Sequence, residues 1–217
     1  FVVLILCKSM ASLLYGLFAF ILIRKISYKM QFRAAILVAL LAIMYPTLSI
    51  MKVFPHQAIS GIANTYMGPD RAQSLEFRFD NERLLVEHAR KRFFFGWGGW
   101  GRNRVHDEET GEDLTVTDGH WIILFGTSGW LGFMAEFGMM ALCIFRAKTA
   151  AKLLKDKNQQ TLLAAHALIV SVIMIDQLPN ASLAPWLWLM MGILLGRSEA
   201  IIIESKRIKS KQEVIKI

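Results

Sequence analysis

The sequence predicts an all-α, multi-spanning membrane protein with one large, partly helical loop. Three observations predict it. Several long stretches lack charge, Lys and Arg gather at the ends of those stretches, and one polar segment is far too long for a simple connector. A lipid core needs about 20 consecutive apolar residues per helix. Backbone in lipid must also be satisfied within its own segment, which makes a helix bundle the natural architecture for such runs. The composition only leans the same way: 54% of the 217 residues are hydrophobic and the mean hydropathy is +0.41, against ~45–50% apolar residues in soluble domains.

Five spans are expected, over residues 1–23, 34–54, 121–145, 162–178 and 183–195. They divide the chain into two helices (1–54), the long loop (55–120), three helices (121–197) and a basic tail (198–217). The chain opens on Phe-Val-Val-Leu-Ile-Leu, with no Met and no charged start. That is unlike a signal peptide and is expected of the C-terminal part of a longer protein. Orientation follows from the short loops, since Lys and Arg concentrate on the cytoplasmic side. Arg24, Lys25, Lys29 and Arg33 form one basic group, Arg146, Lys148, Lys152, Lys155 and Lys157 a second, and the tail from Arg197 to Lys216 a third. With five spans all three fall on one side, which puts 55–120 and the turn at residues 179–182 outside.

The net charge of +8 does not point to nucleic acid, because the basic residues flank apolar runs where headgroups or cytoplasm would meet them. Cys7 and Cys143 both lie in apolar runs and read as small buried hydrophobes, with neither a disulfide framework nor a metal spacing.

Within the loop, Arg71 to Arg92 lacks Gly and Pro and predicts an amphipathic helix near the membrane surface. The loop's arginines, notably Arg78, Arg83, Arg102 and Arg104, suit a phosphate or pyrophosphate, because the guanidinium fork donates two parallel hydrogen bonds. The plainer reading is a solvated helix whose arginines pair with Glu76, Asp80, Glu82 and Glu87 at helical spacing. Next comes a glycine–aromatic turn, Gly96-Trp97-Gly98-Gly99-Trp100-Gly101. Its Trp97 and Trp100 either stack on sugar faces or sit in an interfacial aromatic belt. The acidic stretch Asp107 to Asp113 fits no calcium or zinc pattern and reads as a solvated turn, so no metal or other cofactor is expected. Asp118 and His120 flank Gly119 at the mouth of the third span. Either could take a proton from an attacking hydroxyl, and Asp118 also suits a helix N-cap. Inside the spans, Glu136, His166 and Asp176 are ionisable, and Gly126, Gly129 and Gly132 suggest close helix approach.

The stretch from Ser74-Leu75-Glu76-Phe77-Arg78 through Gly96-Trp97-Gly98, then from Thr117-Asp118-Gly119-His120-Trp121 through Gly129-Trp130-Leu131-Gly132, resembles the O-antigen ligase and polymerase superfamily of bacterial envelopes. Arg78 and Gly96 match that family's loop Arg and first Gly, and Gly129 and Gly132 match its in-span glycines. Asp118 falls where the family usually has His, Glu82 where many members have Trp, and Phe93 where many have Pro, so the chain looks more like an exopolysaccharide-polymerase branch. The resemblance implies a bacterial inner-membrane protein with its loop in the periplasm. It implies glycan transfer from an undecaprenyl-pyrophosphate-linked donor to the hydroxyl of a glycan or lipid-linked acceptor, without nucleic acid and in contact with membrane lipid. Arg78 would be the main pyrophosphate ligand, with Arg83, Arg102 and Arg104 as further candidates, and Asp118, then His120, the base. Two other readings stand beside it: a polysaccharide or ion transporter subunit using Glu136, His166 and Asp176, and a non-catalytic envelope protein that binds polysaccharide.

Overall fold

The computed structural model describes residues 2, 6, 10–66, 68–181 and 185–215, with the side chains at 10, 11, 63, 69, 71 and 213–215 also left aside. Cys7, Ser182, Lys216 and the Arg71 side chain therefore lie outside the described residues. Among those described the protein is all-α. Its helices are α1 (Met10–Lys25), α2 (Tyr28–Ile50), α3 (His56–Tyr66), α4 (Pro69–Arg90), α5 (His120–Ala151), α6 (Lys157–Asp176) and α7 (Pro185–Ile215).

Four of them, α2, α5, α6 and α7 (the last over Pro185–Gln212), are long and apolar enough to cross a membrane. They mark the chain as a membrane protein. Much of their apolar surface is uncovered: Leu37, Leu40 and Met44 on α2, Leu142 and Phe145 on α5, and Leu189 on α7 are all exposed. Exposed apolar area on that scale is stabilised by lipid rather than water. Among the described residues four helices meet that length, and the span expected over 1–23 lies partly outside those residues. The described part of α1 has 16 residues, or ~24 Å at 1.5 Å per residue, short of the ~30 Å hydrocarbon core.

The chain forms two compact units, residues 1–40 with 139–175 and 184–217, and residues 41–138 with 176–183. In the first, two buried glutamines close helix ends. Gln31 Nε2 donates to the carbonyls of Leu22, Ile23 and Ile26 at the end of α1 (2.9 Å to Ile26). Gln160 Nε2 donates to Ala151 and Leu154 after α5 (3.1 and 2.8 Å). The last carbonyls of a helix have no partner within it, so a side-chain donor there removes a desolvation penalty. Arg146 meets Glu199 with both arms of its fork. Cys143 is buried.

In the second unit, α4 follows Gly68 (φ 83°) with Pro69 at its first position, where a missing N–H does no harm. The helix expected over Arg71 to Arg92 is present, but it is not cleanly amphipathic. Its buried face mixes Ala72, Leu85, Val86 and Ala89 with Asn81, while Phe77 and Leu84 are exposed. Asn81 Oδ1 accepts from Val116 N (2.9 Å) and ties the chain before α5 to the helix.

The continuous span expected over 121–145 is broken. Gly129 has φ 68° and ψ −167°, outside any helical region. His120 and Glu136 would stand ~24 Å apart along a straight helix, yet their side chains meet at 2.5 Å. The stretch 120–128 therefore folds back against the start of 130–151. The latter's 22 residues rise ~33 Å, enough to cross the hydrocarbon core.

The break frees backbone groups, and residues 93–98 take them. Trp97 N and Gly98 N donate to Gly126 O and Thr127 O (2.8 Å each), while Trp130 N and Leu131 N donate to Phe93 O and Phe94 O (2.7 and 3.2 Å). Two glycines permit this approach. A Cβ on Gly96 would lie 2.5 Å from Thr127 C, and one on Gly129 would lie 2.4 Å from Phe94 C. Both have positive φ, which glycine alone adopts without strain. The close approach expected at Gly129 is thus to a loop rather than to another helix.

Candidate functional site

The second unit presents a hollow of about 290 Å³ beside α4 and the start of α5. That lies near the lower end of the ~300–1,000 Å³ typical of small-molecule pockets. Its walls are mostly apolar: Leu75, Phe79 and Leu85 from α4, Trp121 and Ile122 from α5, and Leu178 from the segment after α6. Arg78, Asp118, Glu82 and Asn81 supply its polar groups.

Arg78 lies midway along α4 and Asp118 two residues before α5. Arg78 Nε stands 3.7 Å from Asp118 Oδ2, with both side chains about half exposed. A tight charge-assisted bond measures ~2.7–2.9 Å, so this pair is loose and open to a ligand. Asp118 is held in place by its neighbours. A Cβ on Gly119 would lie 2.2 Å from Leu178 O, and His120 N donates to Gln177 O and Asn180 O (3.0 Å each). The short segment after α6 thus clamps the start of α5.

Behind this pair lies a buried polar cluster that the sequence reading did not assemble. Glu82, read as a surface partner for arginine, is largely buried and meets none. Its carboxylate accepts from Tyr45 Oη at 2.5 Å and from Ser49 Oγ, with His56 Nε2 at 3.3 Å. Tyr45 packs edge-on against Phe54 and Trp121, and His56 against Phe79. Tyr45 and Ser49 sit four apart, on one face of the largely apolar second half of α2. That spacing was the available signal for a buried polar partner.

Arg83 pairs with Asp80 at 3.2 Å and faces other hollows. Arg104 clamps Asp113 at 2.7 Å. Arg102 Nε donates to Gly99 O (3.1 Å), and its own carbonyl meets His88 Nε2 at 2.9 Å. Arg102 and Arg104 line a separate hollow with Trp97. Trp97 is engaged by protein groups: His88 stacks on it at 4.4 Å, Arg92 lies over its ring, and its Nε1 donates to His88 O. Trp100, 98% exposed, covers nothing. His120 is mostly buried against Glu136 at 2.5 Å, and Asp176 accepts from Asn180 Nδ2 at 2.9 Å. Of the candidates, only Arg78 and Asp118 share the apolar hollow.

The acidic stretch forms a small hairpin, with His106 bridged to Asp113 and a turn at Gly111 (φ 73°). The amides of Thr110 and Glu109 hold the Asp107 carboxyl below the usual carboxylate range. Burial alone would raise Asp113, but the bonds from Arg104 and Thr115 outweigh it and lower that carboxyl too. Among the described residues no group of three His, Cys, Asp or Glu is placed to hold a metal.

The chain matches no family model, no curated protein and no solved structure.

Proposed function

We propose that the chain is part of a bacterial inner-membrane glycosyltransferase that transfers a glycan from an undecaprenyl-pyrophosphate-linked donor to an acceptor hydroxyl, as in surface polysaccharide assembly. One observation carries this reading: Arg78 and Asp118 converge, loosely paired and reachable, at the edge of a largely apolar hollow. The apolar walls suit the prenyl end of the donor, and Arg78 suits its pyrophosphate.

In the reaction the acceptor oxygen bonds to the anomeric carbon and its proton passes to the Asp118 carboxylate. The bond from that carbon to the pyrophosphate oxygen breaks, and the electron pair leaves with undecaprenyl pyrophosphate. Arg78 offsets the charge that develops on the leaving group. Orientation follows from the basic segments at 24–33, 146–157 and 197–216, which face the cytoplasm in this reading, with residues 55–120 in the periplasm. Broken helices also build transporter sites. Here residues 93–98 occupy the backbone groups that the break at Gly129 frees, which favours the enzyme over the transporter.

The test is complementation by the full-length gene carrying Arg78→Ala, scored by surface polysaccharide length, with membrane protein level checked by blot. Lost polymer and accumulated lipid-linked repeat units at normal protein level are expected. Unchanged polymer would overturn the reading.

A further inference from the structure

A second hollow, of about 490 Å³, lies between α3 and α4, and its chemistry is unlike the first. From α3 it receives Gln57, Ser60 and Asn64, and from α4 Glu76, Asp80 and Arg83. Each trio follows helical spacing, so each forms one polar face. Gly61 lies between the α3 residues, and a Cβ there would meet nothing within 4 Å, so the space beside it is open. Phe79 adds one aromatic wall, and it also lines the apolar hollow of Arg78 and Asp118.

The groups present select a class of ligand. An anion would need surplus positive charge, but Arg83 faces Glu76 and Asp80, Asp80 is already its partner, and His56, which also lines the hollow, is held by Glu82. An apolar ligand would leave the amides and carboxylates desolvated. A neutral polyol suits the set, since its hydroxyls both donate and accept, as do amides, Ser60 and an Asp–Arg pair. Phe79 offers an apolar ring to the C–H side of a sugar.

We propose that this hollow binds the neutral sugar residues of the acceptor glycan, with Asn64, Gln57 and Asp80 as its main hydrogen-bonding side chains. The inference rests on the glycan-transfer reading. Phe79 lines both this hollow and that of Arg78 and Asp118, so a glycan seated here lies beside the proposed reaction site.

The experiment titrates the full-length protein in nanodiscs with oligosaccharide fragments released by mild acid from the cell's own surface polysaccharide, using saturation-transfer NMR. Wild type and Arg78→Ala are expected to bind equally, because Arg78 does not line this hollow. Asn64→Leu and Asp80→Leu, both at exposed positions, are expected to raise Kd at least tenfold. No binding by wild type, or unchanged Kd in both leucine variants, would overturn the subsite. Transfer activity of the same samples separates the two ideas. Binding that Asn64→Leu abolishes in a protein without turnover keeps the subsite and sinks the enzyme reading. Turnover that needs Arg78 without glycan binding in this hollow does the reverse.

Discussion

Arg78 Nε and Asp118 Oδ2 stand 3.7 Å apart although they belong to different elements. The contact is too exposed to add much stability: pairs of this kind contribute ~0–1 kcal/mol. A stronger determinant is the clamp beneath it, where Gly119 lies against Leu178 O and His120 N reaches two carbonyls. The fold holds Asp118 at the hollow whether or not Arg78 is present. The two residues are therefore open to substitution without loss of the fold.

Gly129 and Gly96 lock the loop into the broken helix. Gly129→Ala would place a methyl group 2.4 Å from Phe94 C at a backbone angle alanine resists. The expected loss is roughly 3 kcal/mol or more, a fall in Tm on the order of 10 °C. Gly99→Ala, where a Cβ meets nothing within 4 Å, should shift Tm little. Thermal melts of detergent-solubilised protein check both.

Glu82 binds Tyr45, Ser49 and His56 in a largely buried position. Glu82→Ala strands those donors, at ~1–3 kcal/mol for each unsatisfied buried group. Tyr45→Phe and Ser49→Ala should each lower stability by about 1 kcal/mol, and each should have a smaller effect in a Glu82→Ala background. Denaturant titration of the single and double variants measures that coupling.

Asp113 titrates below its ordinary range because Arg104 and Thr115 outweigh the effect of its burial. A carboxyl whose folded pKa is depressed contributes stability above its unfolded value, near ~3.9. That contribution is lost as pH falls through the folded pKa. Protection of the Val105 and Leu114 amides, which donate to Thr115 Oγ1 and Val105 O across the hairpin, should fall relative to their intrinsic exchange rates below about pH 4. Arg104→Ala should shrink that pH-dependent loss of protection, because the folded carboxyl is then less depressed.

Trp100, 98% exposed, reports the side on which the loop lies. In spheroplasts, Trp100→Cys should react with a membrane-impermeant maleimide, while Lys209→Cys should react only after permeabilisation. The opposite pattern would invert the orientation.

Much of this architecture is legible in the residues. The helices α2 and α6 and the first part of α7 follow from charge-free runs, and α4 from a Gly- and Pro-free stretch rich in helix formers; α7 runs on to Ile215 through the charged residues expected as a tail. The break at Gly129 is not legible, because the apolar run continues through it without proline. Its cause is a loop some thirty residues earlier that supplies four hydrogen bonds. Trp97 likewise reads as a sugar platform or an interfacial anchor, and its contacts with His88 and Arg92 are not legible in its spacing. The arginines scatter for a related reason. Spacing along α4 tells which face Arg83 occupies, but not that Asp80 and other hollows share that face. Arg78 and Asp118 were legible as separate residues, while their meeting depends on Asn81 holding Val116 and Leu178 crowding Gly119.

In the proposed reaction Arg78 stabilises a leaving pyrophosphate. The most direct measurement is the rate at which the purified full-length protein in nanodiscs releases undecaprenyl pyrophosphate from its lipid-linked glycan donor. Wild type should release it in step with glycan transfer, and Arg78→Ala should be slower by about 10²–10³-fold, as when one charge-stabilising donor is lost. Release by Arg78→Ala at the wild-type rate, or none from wild type, would contradict the account.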